Sequence, residues 1–271
     1  MPSSDSVDIA MVLAISAVVY VTALLCHEGL GHGLACLLVG CKPQAVSTSW
    51  FAWDQSGFGP WAVRAVAAGG TIANLLIGSV FLALLYAFSP RSGSWYYFLW
   101  LGTAVNLFMG GGYLMTSPLF GFGDWNEFVK GLHPEIVWRI SLAIIGALIS
   151  FGALVFLVKH AEPLLGSDLK ERMRRARLLC WVPYLAAGGG LMTASTLFNS
   201  GGAIYVVSSA LATLGGTAFL PWLTAWINHP KSLVSSDALP ILRSWGWLAA
   251  GCVAAVCSLV VFGPGVSFHS D

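Results

Sequence analysis

The sequence predicts an all-α fold, a polytopic bundle of about seven transmembrane helices (six to eight), with an interfacial loop or hairpin after the first. Three observations lead there. Of 271 residues, 57% are hydrophobic and only 9% charged, against roughly 25% charged in an average soluble domain. Mean hydropathy is +0.78. Apolar runs of about 20 residues recur along almost the whole length, enough to cross a hydrocarbon core of roughly 30 Å at 1.5 Å per residue. A water-soluble protein is thereby excluded, and membrane lipid becomes the first expected partner of a multi-pass integral protein. The net charge of +1 creates no field for nucleic acid, which is not expected as a partner.

Apolar length places helices at about 9–38, 63–88, 95–116, 136–158, 178–198, 203–227 and 244–262. Asp5 and Asp8 precede the first run with no Lys or Arg, so it lacks the positive region of a signal peptide and is expected to stay as a helix. The last three spans contain Gly188–Gly190, Asn199–Gly202 and Gly215-Gly216, which break or pack helices inside membranes. No internal repeat or long linker is evident. Segment 42–60, KPQAVSTSWFAWDQSGFGP, is too short and polar to span, and its Trp50, Phe51, Trp53 and Phe58 suit an interfacial loop or hairpin. It serves either as a plain aromatic belt or as a substrate contact.

Segment 159–177 is the most basic loop, with Lys159, Lys170, Arg172, Arg174, Arg175 and Arg177, and the positive-inside rule makes it cytoplasmic. Carried through seven helices, this puts the N-terminus inside and nine of the 13 Lys and Arg on cytoplasmic segments, the others being Lys42, Arg64, Lys130 and Arg139. The six cysteines, Cys26, Cys36, Cys41, Cys180, Cys252 and Cys257, include no CxxC pair and are expected to act as small hydrophobes.

The most specific chemistry lies in the first helix, where His27, Glu28 and His32 interrupt VTALLCHEGLGHGLACLLVG. A central acid in a membrane helix costs at least about 2.5 kcal/mol, so ionisable groups there mark function or pair with neighbouring helices. A His-Glu pair with a second His is also the composition of a hydrolytic zinc site: neutral imidazoles and a carboxylate bind the ion, and a glutamate takes the proton of its water. The usual motif spaces its histidines four apart, whereas HEGLGH spaces them five apart. In a regular helix they would diverge by roughly 140°. A local bulge with i to i+5 bonding would bring them together, and Gly29, Gly31 and Gly33 lower its cost.

These residues resemble the site-2 protease family of intramembrane zinc metalloproteases. In that family the HExxH helix is followed by an interfacial hairpin, a helix with an AGPxxN-like turn, and a later helix supplying an aspartate ligand near a PxDG-like segment. Here His27-Glu28 and His32 are followed by the aromatic loop, by GGTIAN at Gly69–Asn74, and by NLFMGGGYLMTSPLFGFGD at Asn106–Asp124. The order agrees over residues 20–125. The sequence departs from the pattern in the extra residue of HEGLGH, in Thr71 where the family has proline, in Trp125 where it has glycine, and in the length of 106–124.

The resemblance implies zinc bound by His27, His32 and Asp124, Glu28 as catalytic base, and Asn74 and Asn106 in unwound, substrate-contacting backbone. It implies a membrane-spanning protein segment as substrate, a metalloprotease-like core over 1–135, and further helices of no matched motif over 136–271, in one integrated domain. It also implies a cytoplasmic active centre, whereas the charge rule puts that end of the first and third helices outside; a miscounted helix between 124 and 159 would reconcile the two. Other readings remain: a transporter or channel whose His27 and Glu28 handle protons or metal ions, or a non-catalytic relative binding a membrane partner. Asp54, Glu127, His133, Glu135, His160, His229 and His269 are expected as ordinary loop or helix-end side chains.

Overall fold

The computed structural model describes residues 7–87, 92–197, 203–227 and 237–268. In chain order these form α1 (Ile9–Leu38), β1 (Pro43–Val46), β2 (Phe51–Trp53), α2 (Pro60–Ala87), α3 (Gly93–Phe120), α4 (Gly123–Val129), α5 (Glu135–Lys159), α6 (Glu162–Leu165), α7 (Leu169–Thr196), α8 (Ala203–Gly216), α9 (Phe219–Ile227), α10 (Trp245–Phe262) and β3 (Val266–Ser267). Among the described residues, seven spans are long and apolar enough to cross a membrane, α8 and α9 forming the sixth. Asn199–Gly202, His229 and His269 lie outside the described residues.

Local chemistry sets the helix ends. Asp8 caps α1 by accepting from the backbone N–H groups of Ala10 and Met11. α3 stops where Gly121 turns left-handed at φ 71°, as helices commonly do at glycine.

The basic segment corrects the sequence reading, because much of it is helix rather than loop. Asp168 accepts from the Glu171 N–H at 2.8 Å and starts α7 nine residues before the apolar run. The charges are then absorbed locally. Arg172 makes a bidentate pair with Glu162 at 2.6 and 2.7 Å, and Arg174 pairs with Glu171.

The segment after α1 is a hairpin. β1 pairs antiparallel with β2, Val46 opposite Phe51, and on its other side with β3, Val46 opposite Val266, giving the order β2-β1-β3. The C-terminal end of the chain thus stiffens the hairpin and leaves β2 at the sheet edge.

A second correction concerns Cys36 and Cys41, which form a disulfide with Cα atoms 5.0 Å apart rather than standing as separate hydrophobes. The end of α1 brings them together. Gly40, at φ 84°, lets the Cys41 N–H reach the Cys36 carbonyl at 2.9 Å and its own N–H reach that of Leu37 at 3.1 Å. This is the paired bonding of a Schellman cap. Cys26, Cys180, Cys252 and Cys257 are free thiols.

α3 is the central helix. Its Tyr97, Trp100, Leu101 and Phe108 are buried in an apolar cluster that runs from Val12 of α1 to Leu223 of α9 and Ile241, drawing on both sides of residue 135. The polar tips are satisfied: Tyr97 donates to the Leu179 carbonyl and Trp100 to the Leu157 carbonyl, both at 3.0 Å. Trp100→Ala is expected to cost about 3–5 kcal/mol, read by unfolding in detergent micelles. Trp222→Ala, 63% exposed on the outer surface of α9, should stay within about 0.5 kcal/mol.

Candidate metal centre

The site begins with a wide turn. Within α1, Cys26–His32 is wound as π-helix, and the Gly33 N–H bonds back to the Glu28 carbonyl five residues earlier. The turn absorbs the extra residue of HEGLGH and puts both histidines on one side, with ring centroids 4.9 Å apart.

Glycines let α2 close on this turn. A Cβ on Gly31 would lie 2.5 Å from the Gly70 Cα, and one on Gly70 would collide with the His27 imidazole.

Asp124 arrives from α4. The chain reverses after α3, where the Ser117 hydroxyl donates to the Phe122 carbonyl and accepts the Trp125 N–H. The Asp124 N–H donates to the Tyr113 hydroxyl at 3.1 Å. Two contacts tie α4 to α2. The Trp125 indole N–H donates to the Thr71 hydroxyl at 2.8 Å, and buried Arg64 donates to the carbonyls of Phe128 and Lys130 at 2.9 and 2.7 Å. The first of these joins two of the positions at which the sequence departs from the family pattern.

The result is a convergent donor set. Asp124 Oδ2 lies 3.3 Å from His27 Nε2 and 3.2 Å from His32 Nε2, and the ligand atoms of these residues all lie within 4.8 Å of one another. In a tetrahedral site with metal–ligand distances of ~2.0–2.1 Å, neighbouring donors stand roughly 3.3 Å apart, so the two measured edges fit one ion. The other ring nitrogens are committed. His27 Nδ1 donates to Asn74 Oδ1 at 2.6 Å and His32 Nδ1 to the Val66 carbonyl at 2.7 Å, leaving both Nε2 atoms as acceptors toward the centre, the arrangement metal-ligating histidines adopt. Burial alone would raise the Asp124 carboxyl, but His32 and His27, when protonated at Nε2, donate to it and hold it well below the usual carboxylate range. The three residues fit a metal ion.

Asn74 and Asn106 do not lie in unwound backbone, which corrects the expectation from the resemblance: α2 and α3 run through them without a break. Both are buried. Asn74 Nδ2 donates to Asn106 Oδ1 at 3.1 Å, and Asn106 Nδ2 donates to the Gly102 carbonyl at 2.9 Å. This chain orients the amide that holds His27.

Glu28 shares the cavity without joining the donor set, its Oε2 being 3.8 Å from His32 Nε2. The cavity, about 300 Å³, is lined also by Trp50, Phe51 and Trp53 of the hairpin, by Tyr113, and by Ser209 and Thr213 of α8. The Phe51 ring stacks on His32 at 6.2 Å. Glu127 lines the cavity as well while pairing with Lys130 at 2.9 Å, whereas Asp54 and His133 are exposed. Glu135 pairs with Arg139, and His160 Nδ1 bonds to the Phe156 carbonyl.

Sequence reasoning missed Tyr113, Arg64 and the Thr71–Trp125 pair. Only Arg64 gave a signal, as a charge entering an apolar helix. No family model, no curated protein and no solved structure matches the chain.

Two variants test the geometry. Gly70→Ala should abolish metal binding by displacing His27, while helix content by circular dichroism is retained. Asn74→Ala should weaken metal affinity by about 10–100-fold, the usual cost of losing a partner behind a ligand, measured by competition with a chelator.

Proposed function

We propose that the protein is an intramembrane zinc metalloprotease that hydrolyses peptide bonds of membrane-spanning protein segments. The observation that carries this reading is the convergence of His27 Nε2 and His32 Nε2 on Asp124 Oδ2, at 3.3 and 3.2 Å, in the same cavity as Glu28. Two imidazoles and a carboxylate are a common donor set of hydrolytic zinc, which leaves one position for water. The resemblance over residues 20–125 supports it further.

When bound, zinc lowers the pKa of its water toward about 7 and polarises the scissile carbonyl. The chain's own residues do the rest. Glu28 sits beside the donor set and accepts the proton the water loses, then delivers it to the leaving amine. Asn74 and the Val66 carbonyl hold the imidazoles in the ligating tautomer, and the aromatic hairpin shields the cavity.

The edge of β2 offers backbone N–H and C=O groups to a substrate strand, and an extended segment can pair there by strand addition. Such pairing answers a physical need. A helical segment hides its peptide groups within its own bonding, so it must unwind before one can be cut, and the unwound backbone must find other partners.

Glu28→Gln keeps shape and hydrogen bonding but removes the basic carboxylate. It should leave zinc bound, by metal analysis of purified protein, while lowering cleavage of a membrane substrate by at least ~10²-fold. His27→Ala and Asp124→Ala should lose both metal and cleavage. Wild-type cleavage by Glu28→Gln would remove Glu28 as the base, and a zinc-free wild type would remove the hydrolase reading.

A further inference from the structure

We infer that the metal centre opens to the oxidising, non-cytoplasmic side of its membrane, opposite to the cytoplasmic placement that the family resemblance implies. The first ground is topology. α1 runs from Asp8 to the hairpin, and α2, α3 and α5 are each long and apolar enough to cross once, so a single candidate span separates Asp124 from the segment after Lys159. The ends of α1 and α3 that carry His32 and Asp124 therefore lie opposite the basic end. No uncounted helix falls between them.

The second ground is charge. Six Lys or Arg fall between Lys159 and Arg177, and Arg243 joins them at the same end, where Leu239 bonds to the Pro163 carbonyl and Asp8 to that of Ile241. The site end carries four, Lys42, Arg64, Lys130 and Arg139. Basic excess marks the cytoplasmic side.

The third ground is independent of charge. The Cys36–Cys41 disulfide closes the end of α1 one turn beyond His32, on the site side. Disulfides form and persist in oxidising compartments and are rare in the cytosol. Gln55 and Glu127, which line the cavity, lie at that same end.

The sidedness stands without any assumption about chemistry. Combined with the proteolytic reading, on which this second statement rests, it says that the substrate presents the outer half of its membrane segment. The bond cut lies on that side, so the fragment bearing the outer domain is released outward.

The experiment labels sites from outside intact cells with a bulky membrane-impermeant maleimide, in a chain whose Cys26, Cys180, Cys252 and Cys257 are serine. Ser56→Cys, exposed beside the hairpin, should shift fully on a gel without permeabilisation. Asp237→Cys, exposed at the basic end, should shift only after it. In the unsubstituted protein, Cys36 and Cys41 should resist alkylation until a reductant is added, which gives an answer even if the serine background does not fold. Reversed labelling, or free thiols at Cys36 and Cys41, overturns the inference. None of these readouts requires cleavage, so a protein that labels as expected but cuts no membrane segment defeats the proteolytic reading alone.

Discussion

The site depends on one departure from helical regularity, the wide turn at Cys26–His32. Five residues of ordinary α-helix would point His27 and His32 to different faces, and no packing partner could bring both to one ion without unwinding the span. The π turn changes the rotation while keeping backbone groups bonded inside the helix, which matters where no water can satisfy them. Its wider bore also brings the backbone outward, and Gly31 against Gly69 and Gly70 gives it space. α2 can then approach closely enough for Asn74 and the Val66 carbonyl to reach the rings.

Burial explains why so many bonds surround a small centre. Two imidazoles and the Glu28 carboxylate are buried in an apolar bundle and the Asp124 carboxylate half-buried, where an unpaired polar group costs several kcal/mol. Each ring has an acceptor behind it, and Asp124 has two rings before it. The amide of Asn74 is itself held by Asn106 and the Gly102 carbonyl, so the order extends from the centre into α3, the most enclosed helix of the fold. Orientation of the His27 ring is thereby tied to the packing of the whole core.

Much of this was legible in the sequence, and the reasons for success and failure are physical. Apolar length reports bilayer thickness directly, so all seven spans were found, α1 to the residue. The start of α7 was missed because a helix outside hydrocarbon is set by its cap, here Asp168, and by ion pairs such as Arg172–Glu162, which leave no apolar run. Composition and depth singled out His27, Glu28 and His32, and five-residue spacing demanded the bulge. The Cys36–Cys41 bond escaped notice because only the left-handed turn at Gly40 brings two cysteines five apart into contact. Arg64, Tyr113 and Trp125 act across long sequence separations, where no periodic pattern announces a partner.

The departures from the expected motif are related to one another through space. The extra residue in HEGLGH is taken up by the π turn. Thr71, where the family pattern has proline, supplies a hydroxyl that proline lacks, and Trp125, where the pattern has glycine, supplies the indole N–H that meets it. Neither change makes sense alone: a buried indole N–H without an acceptor would be costly, and Thr71 would have no donor to receive. Together they fasten the residue after Asp124 to α2, three positions before Asn74 takes hold of His27. The carboxylate and the first imidazole are thus referenced to the same short stretch of one helix, and their separation follows from its rise. A motif read as a string registers mismatches at these positions, whereas the arrangement of donor atoms they support is that of a single three-ligand centre.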